Sequence, residues 1–101
     1  MEQPDSQNNL LNIDRIIHEP ARLLIIISLY VVKEMDFTFL MNQTGMTQGN
    51  LSAHLMKLEE AKYVNIKKKF VGKRPNTLIS ITATGKKAYE RYCQEIKEYL
   101  L

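Results

Sequence analysis

The side chains in this sequence that could do chemistry are hydrogen-bonding and basic ones, and they lie together in its middle. A stretch rich in hydroxyl, amide and small side chains, TQGNLSAH, begins at Thr47. It is followed by KKKFVGKR, which begins at Lys67 and holds five bases and no acid. Amides and hydroxyls can pair with base edges and phosphate oxygens, and lysine and arginine neutralise phosphates. These residue types favour recognition of a polyanion over a bond-making reaction.

No pattern in the sequence predicts a catalytic or metal site. We find no nucleophile paired with a base, no carboxylate dyad and no glycine loop of the kind that cradles phosphates. The two histidines, His18 and His54, and the single Cys93 lack the spacing of metal ligands. His18 is interpreted as a helix-end residue, and His54 either touches a phosphate or packs internally. We therefore predict a protein that is not an enzyme and has no metal or cofactor.

The net charge of +3 conceals an uneven distribution. Residues 1–40 hold six acids and three bases, whereas residues 41–101 hold eleven bases and five acids. Positive charge concentrated in one part of the chain indicates a polyanionic partner, although surplus charge also serves solubility.

The length and composition predict one cytoplasmic domain. A chain of 101 residues is expected to build a single core. One cysteine cannot form an internal disulfide, which fits a reducing compartment. Residues 1–9 are polar, without the pattern of a signal peptide, and are expected to be a disordered lead-in. The apolar stretch over residues 23–32 is shorter than the roughly 20 residues that span a bilayer.

Hydrophobic periodicity predicts the elements that must position the polar residues. Apolar residues at helical spacing predict a helix over residues 10–17, which Pro20 ends or kinks, and Pro20 can also serve as the first residue of the next helix. Residues 21–33 are apolar nearly all round and predict a buried helix, although their run of Ile and Val would also suit a strand. Residues 36–38 form either a short strand or the lead-in to a helix over residues 38–43.

The second half predicts a turn, a helix, a hairpin and a last helix. Gly45 suits a tight turn, and Thr47 is expected to cap a helix over residues 48–61. Alternating residues 64–71 and 77–81 predict a hairpin with a five-residue loop over residues 72–76. Thr82 then caps a helix that runs to the C-terminus.

This order of elements resembles a winged helix-turn-helix. The stretches TGMTQGNLSAHLMKLEEAKYV, GKRPNT and ITATGKKAYERY are similar to small winged-helix transcriptional regulators related to the MarR and ArsR families, especially the group without an effector domain. The resemblance covers about residues 20–100 in unbroken order. It implies an α+β, mostly helical fold, with a DNA-binding domain over residues 10–82 and a C-terminal dimerisation helix over residues 83–101.

Two positions depart from the family's pattern. Lys62 stands where relatives usually have glycine, at a helix end where a left-handed conformation is common. Met41 stands where a small residue often lets two helices approach. Neither departure removes an expected DNA contact.

The resemblance implies that the helix after Thr47 is the recognition helix, which lies in the major groove. The candidates for DNA contact on it are Thr47, Gln48, Asn50, Ser52, Ala53, His54 and Lys57. The alternative is an ordinary solvated helix face. Gly49 argues against that alternative, because glycine inside a helix costs about 1 kcal/mol relative to alanine.

The resemblance also makes the hairpin a wing that touches DNA beside the recognition helix. The wing candidates are Lys67, Lys69, Lys73 and Arg74. On an alternating strand Lys67 and Lys69 share one face, and Lys68 points the other way. Lys73 and Arg74 are expected at the tip, where arginine can enter a narrow minor groove or clamp a phosphate. Protection of an edge strand by lysine is the alternative.

Apolar seams on the first and last helices suit an isologous homodimer, although they could instead cover their own core. The predicted interface residues are Leu10, Ile13, Ile17, Ala88, Tyr92, Ile96, Tyr99 and Leu100. The hypothesis is a homodimeric, sequence-specific transcriptional regulator, a repressor rather than an activator, on a pseudo-palindromic DNA operator. Any small-molecule effector would bind at the dimer junction. The alternative is a winged helix that binds an acidic protein partner.

Overall fold

The computed structural model describes residues 12–100 and contains four helices and three strands in that part of the chain. The elements in chain order are α1 (Pro20–Val32), β1 (Glu34–Asp36), α2 (Phe37–Thr44), α3 (Gln48–Glu60), β2 (Val64–Val71), β3 (Arg74–Ile81) and α4 (Ala83–Leu100). The strands form one antiparallel sheet in the order β1-β3-β2. The predicted α+β, mostly helical fold is confirmed.

The segment before α1 differs from its prediction. Over residues 12–17 the chain makes turns and no α-helix, so the helix predicted over residues 10–17 is wrong in its described part. The carboxylate of Asp14 accepts hydrogen bonds from the backbone N of Ile16 at 2.9 Å and of Ile17 at 3.1 Å. A side chain that binds nearby amides in this way competes with helix formation. The predicted lead-in over residues 1–9 lies outside the described residues.

The predicted starts and stops of α1, α2 and α3 agree with the structure to within one residue. Pro20 is the first residue of α1, and Glu19 caps the helix by accepting from the backbone N of Arg22 at 2.7 Å. The ambiguous segment over residues 36–38 holds both a strand end and a helix start. Gly45 ends α2 with a left-handed φ of 74°, and the Thr47 hydroxyl caps α3 by accepting from the backbone N of Asn50 at 3.2 Å.

The left-handed conformation expected just after α3 is present. Lys62 has a φ of 67°, which costs a non-glycine residue on the order of 1 kcal/mol. Its carbonyl accepts a hydrogen bond of 2.7 Å from the Thr82 hydroxyl. Thr82 thereby ties the end of α3 to the start of α4.

The hairpin turn contains two residues, and the predicted five-residue loop is wrong. Val71 pairs with Arg74, so only Gly72 and Lys73 lie outside the strands, and Gly72 has a φ of 65°. Pro75 is tolerated within β3 because β1 pairs with β3 only as far as Leu78. The other edge of β3 is therefore unpaired at Pro75, where the missing N–H costs no sheet hydrogen bond.

Two clusters of buried side chains hold the domain together. The larger lies between α1, α2, α3 and the sheet, and it includes Leu51, Leu55 and Leu58 from α3. The smaller joins the turn before α1 to α4, and it consists of Ile13, Ile17, Ala88 and Tyr92. These four residues were predicted for a dimer interface, but each is at most 6% exposed within one chain.

The junction between α4 and the end of α3 is close-packed. The backbone N of Thr82 donates to the carbonyl of Tyr63 at 3.0 Å, and the Thr82 hydroxyl caps α4 by accepting from the backbone N of Gly85 at 2.9 Å. Gly85 is buried against the Tyr63 backbone. Among residues 12–100, no helix has the length and apolar character needed to cross a membrane.

Stability is expected to fall at high pH because of Tyr63. Burial, reinforced by the hydrogen bond that its hydroxyl donates to the Asp14 carboxylate, raises the pKa of Tyr63 from 10.0 to about 12. The stabilisation is complete below pH 10 and is lost as the pH rises through about 12, because the unfolded chain releases this proton first. In urea unfolding between pH 10 and about 12, the free energy of unfolding of Tyr63→Phe should fall by less than that of the parent. Identical pH profiles would contradict the prediction.

Candidate nucleic-acid interface

Helix α3 is held to the core by one face and presents the opposite face to solvent. Leu51, Leu55 and Leu58 are buried, which orients the helix on the domain. The residues that the sequence predicted for DNA contact and that are exposed are Thr47, Gln48, Asn50, Ser52, Ala53 and Lys57. The amides and hydroxyls of the first two turns are therefore available to a partner.

Gly49 has no internal reason to be glycine. A Cβ built on it would meet nothing within 4 Å, and its φ is not in the left-handed region. The missing side chain therefore leaves room only on the outer surface of α3. That room lets another surface approach the backbone of α3 closely at this position.

His54 is half-buried and bound within the chain. Its Nδ1 accepts from Nη1 of Arg22 at 3.2 Å and lies 3.9 Å from Oε1 of Glu19. Arg22 also donates from Nε to the carbonyl of Ile16 at 2.7 Å. These contacts support the packed interpretation of His54 over the phosphate contact. They also connect α3 to the turn before α1, a connection that no pattern in the sequence indicates.

His18 is the helix-end residue that its position beside Pro20 predicts. Its Nδ1 lies 2.8 Å from the hydroxyl of Tyr92 on α4. In residues 12–100, no three side chains of the metal-binding types gather into a group that could hold a metal ion.

The two faces of the hairpin carry different side chains. Residues directly opposite in an antiparallel pair share a face. Val64 pairs with Ile81, Ile66 with Ile79 and Lys68 with Thr77, and this face packs on α3 through its buried members. The other face carries Lys67, Lys69 and Arg74.

The middle lysine of the three, Lys68, is therefore the one that faces α3. Lys68 and Thr77, with Gln48 and Ser52 of α3, line a cleft of about 350 Å³ between the helix and the hairpin. Lys67 and Lys69 were the lysines of β2 predicted from the sequence for DNA contact, and Lys68 was not among the predicted residues. Val64, Ile66 and Lys68 are alternate residues of β2 and so lie on one face of the strand. The apolar character of the first two indicates that this face packs on the domain, and it therefore places Lys68 on the side of α3.

The basic side chains of the wing are exposed, and none forms an ion pair with an acidic side chain within residues 12–100. Lys73 lies in the turn, and Arg74 begins β3 directly after it. Lys67, Lys68, Lys69, Lys73 and Arg74 are all exposed, and none forms an ion pair within the described part of the chain. Their charge is therefore available to an external polyanion.

The geometry is that of a helix with an exposed polar face beside a basic two-stranded ribbon. The family described as winged helix DNA-binding domain matches residues 21–100. The chain belongs to this family.

Related proteins are similar to this winged helix domain over most of its length. An uncharacterized protein, MJ0432, from Methanocaldococcus jannaschii is 37% identical over 82 residues, which are 81% of this chain and 89% of that protein. The solved transcriptional regulator homologue from Pyrococcus horikoshii OT3 is 29% identical, with a TM-score of 0.80 and 84% of each chain covered.

NadR, solved in complex with 4-hydroxyphenylacetate, is also similar. It is 28% identical with a TM-score of 0.69, and the match covers 84% of this chain and 62% of NadR. MarR-family regulators are among the solved structures that share the fold. The resemblance to winged-helix regulators seen in the sequence is confirmed, and this winged helix domain is a DNA-binding domain of the regulator class.

Proposed function

We propose that the protein is a homodimeric, sequence-specific transcriptional repressor that binds a pseudo-palindromic DNA operator. The observation that carries the proposal is the exposed polar face of α3 beside a wing whose five basic side chains form no ion pair within residues 12–100. Gln48 and Asn50 have the amide groups that pair bidentately with adenine, and Ser52 can bond either a base or a phosphate. Lys73 and Arg74 at the wing tip would bind the adjacent phosphates or minor groove.

The proposed dimer would use apolar surface that a single chain leaves open. Tyr99 and Leu100, at the end of α4, are 41% and 75% exposed, and Ile96 is half-buried. Since Ile13, Ile17, Ala88 and Tyr92 are buried within the chain and Leu10 lies outside the described residues, contact between copies would fall on the end of α4. An isologous pair would set two copies of α3 about one DNA turn apart.

Repression is the simplest effect of the proposed complex on transcription. A dimer bound across an operator blocks access to that DNA without needing any second surface. An effector, if used, would bind near the dimer junction, where a cleft of about 290 Å³ lies between the start of α1 and Tyr92 of α4. The complex of NadR with 4-hydroxyphenylacetate supports a small aromatic acid as the first class to test.

The proposal is tested by a salt series on random-sequence duplex DNA, followed by selection of bound sequences from a random pool. We expect micromolar-range binding that weakens steeply with salt, and selected sites with two related half-sites. Flat or absent binding would reject the DNA-binding proposal and favour the winged helix that binds an acidic protein partner. Sedimentation of the bound and unbound protein measures the dimer directly.

Removal of the wing-tip charges is expected to weaken DNA binding without unfolding the protein. In the double variant Lys73→Ala and Arg74→Ala, each lost phosphate contact should reduce the slope of log affinity against log salt by roughly 0.9. The thermal midpoint should stay near that of the parent, because both side chains are exposed. The control, Lys87→Ala with Arg91→Ala on α4, removes the same charge elsewhere. Equal slopes in the two double variants would remove the wing tip from the mechanism.

A further inference from the structure

The cleft between α3 and the hairpin has a polar rim and an apolar floor. Its polar lining residues are Gln48, Ser52, Lys68 and Thr77. Its apolar lining residues are Phe37, Leu55, Met56 and Ile66. The cleft holds about 350 Å³. None of its lining residues in the described part of the chain is a carboxylate.

The position of the cleft between two DNA-contacting elements has a geometric consequence. If α3 occupies the major groove and the wing tip reaches the neighbouring minor groove, one sugar-phosphate strand separates the two elements. That strand must pass between α3 and the hairpin. We infer that the cleft seats a phosphodiester of this strand and that Lys68 is its counterion, an inference that rests on the proposed function.

The chemistry of the cleft fits an anionic, oxygen-rich group. Lys68 supplies a full positive charge, and Thr77 lies directly opposite it in the strand pair. Ser52 and Thr77 supply hydroxyl donors, and the amide of Gln48 supplies another at the start of α3. The apolar floor excludes water from one side, which strengthens the attraction between an ammonium and a phosphate.

Neighbouring lysines provide an unusually close control. Lys67, Lys68 and Lys69 are consecutive on β2, all three are exposed, and none is in an ion pair within residues 12–100. Substitution of any one changes the net charge by the same amount. Lys68 lies on the hairpin face that is turned toward α3, and Lys67 and Lys69 lie on the other face. A difference in DNA affinity between the three variants therefore shows which face contacts the DNA.

The test compares Lys68→Ala with Lys67→Ala and Lys69→Ala on random-sequence duplex DNA over a range of salt. We expect Lys68→Ala to reduce the log–log salt slope by roughly 0.9, as the loss of one phosphate contact does, and Lys67→Ala and Lys69→Ala each to reduce it by less. Lys68→Arg should restore the slope, because it keeps the charge. A slope for Lys68→Ala equal to those of its two neighbours would overturn the inference while leaving the proposed function intact. A parent that shows no salt-dependent DNA binding would overturn both.

A second measurement uses single neutral methylphosphonate linkages placed along a selected operator. In the parent, neutralising the phosphate that occupies the cleft should weaken binding. In Lys68→Ala the same substitution should cause no further loss, because the pair has already been broken. Additive losses at every linkage would show that Lys68 contacts no single phosphate, and the inference would fail.

Discussion

Gly85→Ala is expected to destabilise the fold by roughly 3 kcal/mol, at the upper end of the usual cost of overpacking. A Cβ on this residue would lie 2.2 Å from the carbonyl O of Tyr63 and 2.9 Å from its carbonyl C. Both are backbone atoms, and no side-chain rotation relieves the clash. The same carbonyl accepts the hydrogen bond from Thr82, so moving it would also loosen the start of α4.

Urea unfolding followed by far-ultraviolet circular dichroism measures this effect. Gly49→Ala is the matched control, because a Cβ there meets nothing within 4 Å. That control should be as stable as the parent or more stable by up to about 1 kcal/mol, since alanine is the better helix former. A Gly85→Ala variant with the parent's stability would show that the two backbones separate at little cost.

Asn50→Ala is expected to weaken binding to a selected operator by on the order of tenfold to a hundredfold. The amide of Asn50 is exposed on the first turn of α3, where it can bond two atoms of one adenine. The cap of α3 should survive, because Thr47 accepts from the backbone N of Asn50 and not from its side chain. Binding to random-sequence duplex should change little, since phosphate contacts supply that affinity.

Fluorescence anisotropy with operator and random duplexes separates these two effects. Asn65→Ala on β2 is the control, because Asn65 is also an exposed asparagine but lies on the hairpin face that is turned away from α3. A fall in affinity for both DNAs alike would assign Asn50 to a phosphate. No fall for either DNA would exclude Asn50 from the interface.

The features that the sequence predicted correctly are those decided by neighbours along the chain. Helix α1 begins at Pro20, and α3 begins after Thr47, because caps and first-turn residues act over three or four positions. The buried face of α3 follows from leucines at helical spacing. The left-handed Lys62 followed from its position at a helix end in the family pattern.

The features that it missed depend on contacts between distant parts of the chain. Every residue from Gly72 to Asn76 suits a turn, so only the pairing of Val71 with Arg74 decides the turn length. The turns before α1 depend on Asp14, whose carboxylate also accepts from Tyr63. The bond between Arg22 and His54 joins residues 32 positions apart, which no local pattern indicates.

Because the turn has only two residues, the length of the wing can change only by whole pairs of residues. The hairpin is paired along its whole length, and each pair advances it by about 3.3 Å, close to the rise of one base pair. Adding one pair would transfer every side chain beyond it to the opposite face. Two pairs are thus the smallest extension that preserves the facing pattern.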